Sequence, residues 1–304
     1  MYIDFFKLKL DPFAITPDPR FLFPSNRHKE ALAALYYGVH QRKGFVVLTG
    51  EVGTGKTLLI RCLLELLRDK RIACAYIFNS SLSTMQFLQG VASDLGIPAA
   101  GQTKIKILRD LNHYLLARYR RRLTTVLVVD EAHHLSTEIL EEIRLLTNLE
   151  SPDEKLLQIV LVGQSELSDK LDSYELRQLK QRIALRAYLE PLDLENTKGY
   201  IRCRLQCAGA NSHAGSLIPD DTAARIFHFS RGIPRLINTI SDNALVTAFA
   251  RHLEVVAPSI IDEVADDLRI HMGKLRSLSV FETNKGTDAS IVVGPGRPSP
   301  VPPT

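Results

Sequence analysis

Two kinds of apolar run alternate along the first two thirds of the chain. Short continuous apolar stretches at 45–49, 73–78, 125–129 and 157–163 read as buried strands, the pattern of a parallel sheet, and 184–189 reads as a fifth strand. Between them apolar residues recur at helical spacing. Ala31, Leu32, Leu35, Tyr36 and Val39 make one face, with Ser25 placed to cap it; Leu58, Leu59, Ile60, Leu63, Leu64, Leu66 and Leu67 make the next. A segment from 83 to 95 is broken by Gly96-Ile97-Pro98, a long helix over 103–122 carries Ile105, Leu108, Leu111, Leu115 and Leu116, and another helix runs over 136–149. From Asp193 to Met272 only helical periodicity remains, with one bridging loop at 209–219 and Pro234 at a helix start.

The alternation predicts an α/β domain over 25–191 with helices on both faces of its sheet, followed by a helical lid over 192–276. Residues 1–24 are dense in proline and phenylalanine, so they are expected to lie extended against the core with their phenylalanines buried. Residues 277–304 collect Gly, Pro, Ser and Thr and are expected to be disordered.

Chemistry enters where the first strand ends. Gly50-Glu51-Val52-Gly53-Thr54-Gly55-Lys56-Thr57 satisfies the spacing GxxxxGK[ST], between a strand and an amphipathic helix that Leu58 continues. Glycines let a loop backbone approach a polyphosphate closely, and its N–H groups together with the helix N-terminus form an anion-binding concavity. Lys56 supplies charge for the β and γ phosphates of ATP, and the Thr57 hydroxyl serves Mg²⁺. The third strand then delivers Asp130-Glu131, as a magnesium nucleotide site requires: Asp130 for the metal shell, Glu131 as general base on the attacking water. The fourth strand sets Gln164 at its carboxyl end, where ligands of open parallel sheets bind. His133 and His134 are expected at the surface or behind the site rather than as metal ligands.

The remaining composition mainly excludes. The chain has 304 residues, 45% of them hydrophobic, enough for a core without staples. Four scattered cysteines argue for reduced thiols in a cytosolic protein, and Cys203 and Cys207 lack the second pair a zinc site needs. The start lacks a basic-then-apolar leader, and no apolar run nears the about 18 residues of a membrane span. A net charge of +4 does not announce a nucleic-acid partner. The one concentrated basic stretch, Arg118 to Arg122, ends a helix, where cations are favoured in any case.

Taken in order, the phosphate loop, Asp130-Glu131, Gly163-Gln164, the Arg-rich turn at 177–182 and Gly232-Ile233-Pro234-Arg235 resemble the AAA+ ATPases. The opening Met1-Tyr2-x-x-Phe5-Phe6, Pro12-Phe13-x-x-x-Pro17-Asp18-Pro19 and the run from Lys43 to Lys56 are similar to the general secretion pathway protein A, or ExeA-like, family. The resemblance covers residues 1–272. It implies a five-stranded parallel sheet in the order 5-1-4-3-2, a helical lid, and ATP with Mg²⁺ between them. It further implies Gln164 near the γ-phosphate, Arg235 reaching the phosphates from the lid, and Arg182, or failing that Arg177, entering a neighbouring subunit's site. Assembly into a homo-oligomeric ring or filament is implied, with a secretion or envelope-assembly partner and a cytoplasmic location, peripheral to the inner membrane through that partner. Secretion members of the family typically continue into a membrane span and a peptidoglycan-binding domain, where this chain has a Pro-rich tail. MuB-like and TniB-like transposition ATPases share much of the core, so an ATP-dependent DNA-binding switch, using Arg118 to Arg122 on phosphates, is the alternative.

Overall fold

The computed structural model describes residues 1–68, 72–78, 82–210 and 214–270. Five strands, β1 (Phe45–Gly50), β2 (Ala73–Ile77), β3 (Thr125–Val129), β4 (Leu157–Gly163) and β5 (Leu185–Leu189), form one parallel sheet in the order β2-β3-β4-β1-β5. Read from the other edge this is the expected 5-1-4-3-2. β1 lies between β4 and β5, so its carboxyl end opens onto the middle of the sheet edge, where the chain reverses its order of strands.

Period-two alternation decides which side chains serve which face. Phe45, Val47, Leu127, Val129, Ile159 and Leu161 point into one cluster, whereas Val46, Leu48, Val126, Val128, Val160 and Val162 point into the other. The first face is covered by α4 (Thr84–Asp94), α5 (Lys104–Arg120), α6 (Thr137–Leu146), α7 (Ser165–Leu171) and α8 (Arg177–Lys180), the second by α2 (Asn26–His40) and α3 (Lys56–Arg68). Helix starts follow local caps. Ser25, Thr103 and Ser136 each accept a backbone N–H three residues on, and Ser83 with Gln86 closes a reciprocal capping box.

Beyond β5 the chain is helical through α9 (Leu194–Leu205), α10 (Ala214–Leu217), α11 (Asp220–Ser230), α12 (Pro234–Ala250) and α13 (Pro258–Asp267). A π turn at Gln206–Ala210 leaves α9, with Gly209 at φ 103°. These helices bury Ile201, Leu205, Ile226, Ile237, Ile240 and Leu245 in a cluster of their own.

Three expectations need correction. The N-terminal segment packs chiefly into this helical cluster, where Phe13 and Phe21 are buried and Tyr2 donates to Asp242 on α12 at 2.7 Å, while Leu22 packs against the sheet's second cluster. Nor is it wholly extended, since Tyr2–Phe5 makes the first helical turn, α1, and Pro19–Phe21 a 3-10 turn. Strand β2 is only half-buried, because it forms the sheet edge and has β3 on one side alone. The tail at 277–304 lies outside the described residues.

Candidate active site

The turn from β1 into α3 is built from the inside. Lys56 is 6% exposed, and its ammonium donates to the carbonyls of Gly50 and Glu51, both at 2.8 Å. Burial pushes its pKa below the usual lysine value, while the negative charges of Glu131, Asp130, Glu166 and Glu51 pull it back up. Thr54 is fully buried and donates its hydroxyl to the Glu51 carbonyl at 2.8 Å. Gly53 and Gly55 sit at φ +81° and +99°, a region side chains resist. A Cβ on Gly53 would also stand 2.8 Å from the Cβ of Arg235, whose N–H donates to the Gly53 carbonyl. The loop is thus locked to the first turn of α12.

His28, in the first turn of α2, fixes the loop from beneath. Its Nδ1 is 2.7 Å from the Ser25 hydroxyl and its Nε2 3.3 Å from the Thr54 carbonyl. Ser25 donates to Nδ1, so Nε2 carries the proton that Thr54 accepts. Burial depresses its pKa. On acidification through about 6.5 the unfolded chain therefore takes up a proton that the folded chain refuses, and stability present above that pH is lost below it. His28→Gln is expected to lessen this loss, read as a smaller fall in Tm between about pH 7.5 and 5.5; His133, also depressed, keeps part of the slope.

Opposite the loop, β3 delivers Asp130, 6% exposed. Its Oδ2 accepts from the Thr57 hydroxyl at 3.2 Å and from Tyr76 at 2.7 Å, and its Oδ1 accepts the Glu131 N–H at 2.9 Å. Burial and the bond to Asp130 push the Tyr76 phenol well above its usual range. A hydroxyl and a carboxylate side by side are hard oxygen donors, the set that suits Mg²⁺. Glu131 sits at φ +53°, which turns the backbone into the 3-10 turn Ala132–His134. Its carboxylate stands 3.5 Å from His133 Nδ1, which in turn accepts the Gln164 N–H at 3.4 Å.

A pocket of about 340 Å³ opens over these groups. It brings together Val52, Gly53, Gly55, Lys56, Thr57, Leu58, Glu131, Gln164 and Arg235. Gly50, Glu51 and Thr54 shape the loop from behind, and Asp130 stands behind Thr57. Arg177 and Arg182 do not reach it: both are exposed, Arg177 stacked 4.0 Å over the Tyr174 ring and Arg182 bonded to Asn148.

The sequence reading missed one whole wall. Residues 14–18 of the N-terminal segment line the pocket together with Tyr200 and Arg204 of α9 and Asn238 of α12. Arg204 is 5% exposed; it donates to the carbonyls of Pro12 and Ala14 and to the Tyr200 hydroxyl, which donates to Asn238 at 2.8 Å. A charged residue on the apolar side of a helix was the available signal. Its two carbonyl partners lie 192 and 190 positions away, beyond any spacing rule.

Comparison with known proteins bears on the fold. The AAA domain family matches residues 39–171, spanning the phosphate loop, Asp130-Glu131 and Gln164. General secretion pathway protein A of Aeromonas hydrophila is 46% identical over 252 residues, which is 83% of this chain and 45% of that protein; the chain therefore spans under half the length of its relative. Among solved structures, Cdc6p from Pyrobaculum aerophilum is similar with a TM-score of 0.66 at 20% identity, covering 86% of this chain and 72% of that one. The Aeropyrum pernix ORC2 protein in its ADPNP-ADP complexes gives 0.64 at 16%, covering 84% and 71%. The Thermotoga maritima RuvB Holliday junction branch migration motor gives 0.55 at 19%, covering 82% and 70%. These likenesses are of fold. With its phosphate loop, its Asp-Glu strand end, an AAA domain at 39–171 and 46% identity over 252 residues to part of that relative, the chain carries an AAA+ ATPase domain similar to that of general secretion pathway protein A.

Proposed function

We propose that this chain binds ATP with Mg²⁺, hydrolyses it, and uses turnover to drive or regulate a secretion or envelope-assembly complex from the cytoplasmic side. The observation that carries the reading is the convergence of Lys56, the Thr57–Asp130 pair and Glu131 on one pocket. Loop amides and the Lys56 ammonium grip the β and γ phosphates; two of the three Lys56 donors hold carbonyls, which leaves one for phosphate. Thr57 and Asp130 would hold Mg²⁺, which would supply charge that neutralises the phosphates. Glu131 takes the proton of the attacking water, Gln164 orients that water beside the γ-phosphate, and Arg235 adds charge from α12. Residues 14–18, with Ile15 63% exposed at the pocket, offer an apolar seat for the base. The secretion role is supported by the relative's name and by the resemblance that the motifs at 1–24 carry.

Exposed Arg182 and Arg177 favour a site completed by a second copy. Steady-state turnover per protomer should then rise with protein concentration, and Arg182→Ala should cut it by about 10³ while ATP binding persists. Turnover independent of concentration and insensitive to Arg182 and Arg177 would remove the shared site. The same assay with duplex DNA tests the alternative, for which a salt-sensitive, ATP-dependent mobility shift is the signature. Arg118 contributes little there: its guanidinium donates to the Thr124 carbonyl and the Thr125 hydroxyl at the start of β3, away from the nucleotide edge.

A further inference from the structure

The turn that follows Glu131 holds a second set of ligands with a chemistry unlike that of the magnesium pair. Glu131, His133 and His134 each offer one donor atom within 4.8 Å of the other two. The two imidazole rings lie 3.9 Å apart at 41°, so neighbouring residues present both rings to one side of the turn. His133 Nδ1 stands 3.5 Å from Glu131 Oε2. Two donors on a tetrahedral ion at about 2.1 Å are about 3.4 Å apart, so this pair already has the spacing of an edge of such a site.

His133 also has unused hydrogen-bonding capacity. Its side chain is 7% exposed and its Nε2 is buried with no partner. With Nδ1 accepting from Gln164, the Nε2 proton has no acceptor; with the proton moved to Nδ1, the Gln164 N–H loses its acceptor and Nε2 is left a bare lone pair. An ion on the edge facing Glu131 takes the Nδ1 lone pair in place of the Gln164 N–H and leaves the Nε2 proton without a partner, so the unpartnered nitrogen is a separate feature of the ring.

We propose that Glu131, His133 and His134 form an inhibitory site for a zinc-class divalent ion. Two imidazoles and one carboxylate are the donor set that Zn²⁺ accepts with a coordination position left open, whereas Mg²⁺ prefers the all-oxygen pair of Thr57 and Asp130. The two ions therefore sort to different sides of the same strand end. Zinc held at Glu131 ties up the carboxylate lone pairs that would receive the proton of water; the inhibition, though not the binding, rests on the reading of Glu131 as general base. Lys56, Thr57 and Asp130 remain free to hold nucleotide.

Zinc binding is measured on the full chain without nucleotide, by calorimetry in metal-free buffer, with Co²⁺ as the spectroscopic probe. One ion per protomer is expected, with no thiolate charge-transfer band. His134→Ala, at an exposed position, should weaken binding about tenfold or more. It should also leave Mg-ATP turnover unchanged in zinc-free buffer and relieve the zinc inhibition seen in the unmodified chain. Failure to bind zinc, equal binding by the variant, or a thiolate band assigning the ion to Cys203 and Cys207 would overturn the site. Undiminished turnover with zinc bound would overturn its inhibitory role. Zinc bound by a chain that hydrolyses no ATP would uphold the site and remove the ATPase reading instead.

Discussion

Glu131→Gln is expected to lower kcat for ATP hydrolysis by about 10²–10⁴ while nucleotide affinity stays within a few fold. The substitution keeps shape and hydrogen-bonding reach but replaces a proton acceptor with an amide that cannot take the proton of water. Affinity should persist because phosphate is gripped elsewhere, by the loop amides and by Lys56, whose ammonium is held by the Gly50 and Glu51 carbonyls rather than by Glu131. Stability should persist too, since the Glu131 side chain is 45% exposed and its backbone geometry does not depend on the carboxylate. Single-turnover hydrolysis and equilibrium binding of a fluorescent ATP analogue separate the two quantities. A variant that hydrolyses as fast as the parent would transfer the base role away from Glu131, whereas loss of binding would mean that the carboxylate holds the loop in place.

What could be read in the sequence is what the chain encodes locally. The phosphate loop occupies eight consecutive residues, and its motif is legible from their spacing alone. Asp130 and Gln164 follow from one rule applied twice, that polar residues at the carboxyl end of a buried strand face the ligand. The cap at Ser25 is similarly local, as are the helix starts at 83, 103 and 136. Arg235 was reachable only through family resemblance; its contact with Gly53 joins residues 182 positions apart. Where the reading failed, burial was inferred without its partner. The density of phenylalanines in residues 1–24 says that they are covered, but not that the cover is α9 and α12 instead of the sheet. The apolar run at 73–78 says strand, but not edge, and so gave no hint that Tyr76 would turn its hydroxyl to Asp130 from the neighbouring strand. The same limit applies to Arg118. A basic helix end suggests solvent or phosphate, and the actual partner is the loop that starts the next strand.

The largest effect away from the reacting atoms should come from Arg204→Met. The guanidinium joins three parts of the pocket's missed wall: it donates to the Pro12 and Ala14 carbonyls of the N-terminal segment, donates to Tyr200 one helical turn back, and lies 4.8 Å over the Phe21 ring. Methionine preserves much of the apolar stem but leaves two carbonyls without their donor in a nearly closed space, at a cost of about 3 kcal/mol. Lysine should rescue only part of this, because a single ammonium cannot reproduce a planar fork aimed at separate acceptors. The functional consequence follows from position. Residues 14–18 line the pocket and include none of the groups assigned to the reacting atoms, so loosening them should raise KM for ATP several-fold and leave kcat at saturation nearly unchanged, the reverse of the Glu131→Gln pattern. Thermal denaturation with and without nucleotide, alongside steady-state kinetics, reads both effects. A fall in Tm with KM untouched would confine Arg204 to folding, and would place the seat of the base elsewhere in the pocket.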